Sequence, residues 1–213
     1  MTVASFTFNA FSENTYLLID EATRECAVVD PGCYEPAEQQ QLRRYIETQG
    51  LRVALLLNTH AHIDHVLGNQ FVLATWPGTP FLLHPLDLPT LRAVPTYAAN
   101  YGFPAYQSAE PTGELQAGQP VRLGDTELEV RFAPGHAPGH VVFYHAPTAT
   151  VIGGDVLFQG SIGRTDLPGG DHDTLLRSIA TELLTLPDAT VVHPGHGPAT
   201  TVGAERRSNP FLQ

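Results

Sequence analysis

With 213 residues, 42% of them hydrophobic, the chain can bury a sizeable core, and its length suggests one domain. No apolar run approaches the roughly 18 residues a membrane span needs, and residues 1–10 lack the basic and apolar regions of a signal peptide. The net charge is −11 and every cation is arginine, with Arg43-Arg44 and Arg206-Arg207 the only adjacent pairs, which argues against a nucleic-acid face.

In chain order, strands are predicted over 3–8 and 15–19, turning at 9–14, and over 26–29, ended by Asp30-Pro31-Gly32. Asp30 there can form an Asx turn. Cys26 and Cys33 form no CxxC pair; reduced thiols in a cytoplasmic protein are the simpler reading, with a disulfide between them left open. A helix is predicted over 36–49, with Leu42, Tyr45 and Ile46 as its apolar stripe and Gly50 as its C-terminal stop.

The apolar run 53–57 reads as a buried strand. It leads directly into Thr59-His60-Ala61-His62-Ile63-Asp64-His65, and helical spacing resumes beyond, with Leu67, Phe71 and Ala74 able to share a face. Three imidazoles and a carboxylate therefore stand where a strand ends and a helix begins, a favoured place for a site. In extended chain His60 and His62 point the same way, while Asp64 and His65 turn off at the helix start. One short segment can thus offer donors to two neighbouring metal ions.

A short strand over 80–83 precedes the irregular stretch 84–107, rich in Pro and in the aromatics Tyr97, Tyr101, Phe103 and Tyr106. It reads as a cover near the site containing one or two short helices, or as a mobile insertion. A hairpin turning at Gly124-Asp125 is predicted over 121–132, strands over 141–144 and 150–152, a helix over 173–186 capped by Asp171 or Asp173, a last strand at 191–192, and a short C-terminal helical turn. Three of these strands end on a further donor: His136, Asp155 and His196, each beside Gly or Pro. His84, His145 and His172 lack motif context and are expected at the surface or capping loops. His140 and His193 are candidates to support the ligands.

The order HxHxDH, lone His, lone Asp, last His resembles the metallo-β-lactamase fold hydrolases. Residues 154–170 and His193-Pro194-Gly195-His196-Gly197-Pro198 are similar to the small glyoxalase II-like subfamily. The resemblance implies an α+β fold, an αββα sandwich of two mixed sheets flanked by helices, as one domain over 1–213 without the C-terminal glutathione-binding helical domain of larger relatives. It implies two divalent metals, zinc or else iron or manganese. His60, His62 and His136 would hold one, Asp64, His65 and His196 the other, and Asp155 would bridge them; Asp30 would either support a ligand histidine or form only its Asx turn.

The implied chemistry is attack of a metal-bridging hydroxide on a thioester such as S-lactoylglutathione, with Asp64 and Asp155 in catalytic roles and Arg164 as a clamp for substrate carboxylate. The alternative for Arg164 is a brace against Asp166 or Asp171. The rival reaction is that of a mononuclear iron persulfide dioxygenase using the facial triad. A lactonase, a β-lactamase or a metal-binding protein without activity rank lower. A small-molecule thioester is the only partner implied, with no nucleic acid or membrane, in a monomer or homodimer.

Overall fold

The computed structural model describes residues 1–213, which fall into two compact units. The first comprises Met1–Glu114 with Arg122–Glu127, and the second Leu115–Val121 with Leu128–Gln213.

The sheet of the first unit runs in chain order: β1 (Thr2–Phe8), β2 (Glu13–Ile19), β3 (Glu25–Val29), β4 (Arg52–Leu57), β5 (Phe81–Leu83) and β6 (Gly113–Glu114). The first three strands are antiparallel, joined by short turns. From β3 to β6 the pairing is parallel, because helical segments carry the chain back between strands. Every residue of β2 is buried, as expected of a strand covered on both faces.

α1 (Pro36–Thr48) begins with Pro at its first position and a capping box between Glu35 and Glu38. It buries Leu42 and Ile46, and Gly50 follows it at φ +61°. The predicted run beyond the histidines is broken at Leu67-Gly68 into α2 (Ile63–Val66) and α3 (Asn69–Thr75). Val66, Leu67 and Val72 are its buried residues, whereas Ala74 is exposed; the break shifts the phase of the helical face. The stretch 84–107 is ordered: a 3₁₀ turn at Pro85–Asp87, α4 (Leu88–Tyr97) burying Leu91 and Val94, and a second turn at Ala98–Tyr101 ended by left-handed Gly102.

The sheet of the second unit has the order β14-β13-β10-β9-β8-β7, built from β7 (Val121–Leu123), β8 (Thr126–Phe132), β9 (Val141–His145), β10 (Thr150–Gly154), β13 (Val191–Pro194) and β14 (Thr200–Thr201). β10 and β13 are parallel, the connection running through α5 (His172–Ser178) and its π-helical continuation Ile179–Leu183. Asp171, not Asp173, caps α5 by accepting from the Thr174 N–H at 2.7 Å. Leu175, Ile179, Leu183 and Leu186 form its buried core stripe despite the widened turn, with Leu176 only partly buried beside it. A ribbon of β11 (Leu157–Phe158) and β12 (Ser161–Ile162) and the final α6 (Val202–Ser208) complete the unit.

Both sheets are mixed and both carry helices, as the resemblance implied. The β7–β8 turn belongs to the first unit, where Asp20 accepts from the Asp125 N–H (3.1 Å) and the Thr126 hydroxyl (2.8 Å). His145 meets the loop-capping expectation and not the surface one. It is buried, at the end of β9, with Nδ1 2.7 Å from the Thr148 hydroxyl. Cys26 and Cys33 are free and buried, and burial pushes the Cys26 thiol up to about 12, so neither is a ready nucleophile.

Candidate metal centre

In the first unit the buried end of β4 delivers His60, His62, Asp64 and His65 within one turn of chain. The ring centroids of His60 and His62 are 4.8 Å apart, and those of His60 and His65 4.2 Å. His60 and His65 are fully buried, and the Asp64 carboxylate lies 3.7 Å from His65 Nε2.

Beneath these rings is a hydrogen-bonded polar layer. Asp30, in left-handed backbone (φ +48°) at the end of β3, is its centre. Its Oδ1 accepts from the Thr59 N–H (2.7 Å) and Asn58 Nδ2 (3.2 Å); its Oδ2 accepts from the Thr59 hydroxyl (2.5 Å) and faces His65 Nδ1 at 3.2 Å. The Thr59 hydroxyl also lies 3.0 Å from His60 Nδ1. Asp30, His60 and His65 are close enough to form a metal-ligating group by themselves. Asp30 is nevertheless a poor ligand, because its oxygens already serve these four groups. It is a support, and the Asx-turn reading of Asp30 is insufficient.

Other supports were not legible in the sequence. Asn58 donates to the His65 carbonyl (2.9 Å) and accepts from Asn69 (2.8 Å), and Asp87, at the start of α4, accepts from the Ala61 N–H between the two first histidines (2.7 Å). Asn58 could have been flagged as a polar residue directly after an apolar strand; nothing in the sequence marks Asp87. Glu13 on β2 is wholly buried, its carboxyl accepts from the Thr15 hydroxyl, and burial raises its pKa well above the usual carboxylate range. A Cβ on Gly32 would strike both the Glu13 carboxylate and the Asp64 carbonyl, so only glycine fits there.

In the second unit β8, β10 and β13 bring their terminal donors to one end of the sheet. Asp155 Oδ2 stands 3.4 Å from His136 Nε2 and 3.5 Å from His196 Nε2. The Asp155 N–H donates to His140 Nε2 (3.0 Å), which makes fully buried His140 a support for Asp155. His136 Nδ1 is 2.7 Å from the Arg164 carbonyl. Gly163 allows this approach: a Cβ there would sit 1.9 Å from the Asp155 carbonyl oxygen. The Arg164 guanidinium makes two 2.7 Å bonds to Asp166 and holds that carboxyl near 2, which is the brace foreseen for it. His193 is half-buried, and burial lowers its pKa.

The donor set fits a metal. The Nδ1 atoms of His60, His65 and His136 all face groups of the protein, so Nε2 is the nitrogen that could bind a metal in each. Donors held at about 2.1 Å by one ion lie about 3.0–3.4 Å apart at octahedral or tetrahedral angles. The carboxylate–imidazole separations of 3.4–3.7 Å are at or slightly beyond that range, close enough for a shared ion to draw the donors together. His and Asp clusters of this kind are consistent with a two-metal site.

Comparison with known proteins agrees. The family model described as metallo-beta-lactamase superfamily matches residues 9–196. The chain is 37% identical to the hydroxyacylglutathione hydrolase GloC of Haemophilus influenzae, over all of this chain and 98% of that one. The crystal structure of the BLEG-1 B3 metallo-beta-lactamase aligns with a TM-score of 0.90 at 35% identity, covering both chains completely. That of TTHA1623 in a di-iron-bound form aligns with a TM-score of 0.87 at 40% identity, covering 98% of this chain and all of the other. By sequence, fold and donor set, the chain belongs to the metallo-beta-lactamase superfamily and has its αββα fold.

Proposed function

We propose that the protein is a metal-dependent hydrolase acting on a hydroxyacyl thioester such as S-lactoylglutathione. The observation that carries the reading is the donor set within a chain similar along its whole length to a hydroxyacylglutathione hydrolase. In this reading His60, His62 and His136 hold one ion and Asp64, His65 and His196 the other, with Asp155 shared. The equal reach of Asp155 Oδ2 to His136 and His196 supports the shared role, as does the likeness to a di-iron structure.

The metals, when bound, polarise the thioester carbonyl and lower the pKa of a water so that it can attack near neutral pH. The protein's own part is positioning. Asp30, Thr59 and the Arg164 carbonyl fix imidazole tautomers. His140 fixes Asp155, and the Asp64 carboxylate would orient the attacking water. No nucleophilic side chain is required, and the chain has no Gly-x-Ser-x-Gly elbow.

The test is release of free thiol from S-lactoylglutathione by protein loaded with zinc, iron or manganese in turn. Metal-dependent, saturable release supports the proposal. Oxygen consumption on glutathione persulfide without any thioester cleavage overturns it in favour of a dioxygenase.

A further inference from the structure

The aromatic side chains beside the ligand helix have no role in the chemistry above. Phe11 and Tyr101 are 42% and 52% exposed. They belong to a continuous run of rings in the first unit. Tyr97 and Tyr101 are 5.6 Å apart, Tyr101 and Phe11 6.3 Å, and Phe11 and Phe103 5.9 Å between centroids. Phe103 is buried and packs edge-on against Tyr34 at 4.9 Å, while the Tyr34 hydroxyl accepts from the Ala105 N–H.

The run is tied to Asp64 at two points. Asn9 Nδ2 donates to the Asp64 carbonyl (3.1 Å) and to that of Gly32 (3.1 Å), and its Oδ1 accepts from the Phe11 N–H (2.9 Å). Left-handed backbone at Asn9 and Ser12 shapes this loop. At the other end, half-buried Tyr97 closes α4, and its phenol lies within the field of the Asp64 carboxylate.

We propose that Phe11, Tyr97 and Tyr101 form a subsite for the acyl arm of the substrate, selecting an aryl or similarly flat apolar group; this rests on the thioesterase reading. Size and charge favour that occupant. An aromatic side chain offers about 150–250 Å², so two half-exposed rings present on the order of 200 Å², against about 800 Å² per partner in a stable protein interface. One ring of a small molecule fits that area. Asn9 ties the wall to the Asp64 backbone, and the Asp64 carboxylate acts on Tyr97, so the anionic thiol arm of a glutathione thioester is disfavoured there.

The experiment compares kcat/KM for S-mandeloylglutathione and S-lactoylglutathione, in metal-loaded wild type and in Phe11→Ala/Tyr101→Ala. It adds calorimetric binding of mandelate and lactate, which differ by the ring alone. We expect at least a tenfold preference for the mandeloyl substrate and for mandelate, falling to about one in the double variant. If the double variant does not fold, Tyr101→Ala alone should reduce the preference at least threefold. Thioester hydrolysis with no preference, or with a preference unchanged in a folded variant, overturns the subsite and leaves the hydrolase reading standing. A mandelate preference lost in the variant, without hydrolysis of either thioester, keeps the subsite and removes the thioesterase. Neither hydrolysis nor a mandelate preference overturns both.

Discussion

Asp30 shows how much of a metal site lies behind its ligands. Its carboxylate organises Asn58, Thr59 and His65 at once, all within the buried layer. Removing such a support typically costs 10–100-fold in metal affinity. Asp30→Ala is therefore expected to lower affinity by about that factor, measured by competition with a chromogenic chelator; an unchanged affinity would reduce Asp30 to a turn residue. Arg164 acts differently. Its carbonyl meets His136 but its guanidinium pairs with Asp166 at the surface, where an ion pair contributes little. Arg164→Met should leave metal content and melting temperature unchanged. If the guanidinium exchanges Asp166 for a substrate carboxylate, KM for S-lactoylglutathione rises about tenfold while a small neutral thioester is little affected. Equal effects on both would leave Arg164 as a brace alone. At this scale the candidate donors stand out in the sequence because four crowd directly after a buried strand and the other three each follow a strand beside Gly or Pro. Asp87 and Glu13 could not, because their roles depend on which strands become neighbours.

Among the elements, those with a clean period were legible: the β4 run, the alternating β8 and the stripe of α5. α4 was obscured by Pro89 and Pro95. Pro89 sits in its first turn, where the missing N–H costs nothing, and Pro95 lies near its end. The break between α2 and α3 was invisible because Gly68 donates its N–H to the Pro31 carbonyl, a tertiary contact. The contact of the β7–β8 turn with Asp20 was equally hidden. There the Thr23 and Ala22 N–H groups and the Thr23 and Thr126 hydroxyls hold the Asp20 carboxyl down to about 2, below its ordinary 3.8. A depressed folded-state pKa adds stability above the unfolded value and loses it as pH falls through the folded one. Wild type should therefore lose this contribution between about pH 4 and 2. Asp20→Asn should be less stable at neutral pH, by about 1–3 kcal/mol for imperfectly replaced buried hydrogen bonds, and should show a flatter acid limb in denaturant titrations. Parallel acid limbs in the two proteins would show that Asp20 is not the titrating group.

For the whole molecule the decisive quantity is metal stoichiometry. A dinuclear hydrolase needs two ions per chain, whereas the dioxygenase scheme needs one. Elemental analysis after reconstitution should approach two equivalents. His62→Ala and His196→Ala, from the two sets of three, should each reduce the count toward one, and Asp155→Ala should weaken both ions because its oxygen reaches both His136 and His196. Ligands that bind only the folded chain also stabilise it. At a free metal concentration about a thousand times Kd the gain is about 4 kcal/mol. For a chain of this size each kcal/mol moves Tm by about 2–4 °C, so chelation should lower the melting temperature by about 8–16 °C. Asp155→Ala should melt near the chelated wild type and respond little to added metal, because it lacks the shared ligand but keeps the hydrophobic cores. A ceiling of one equivalent in wild type would return the chemistry to a single ion, and two retained in Asp155→Ala with thioester turnover intact would refute the shared carboxylate.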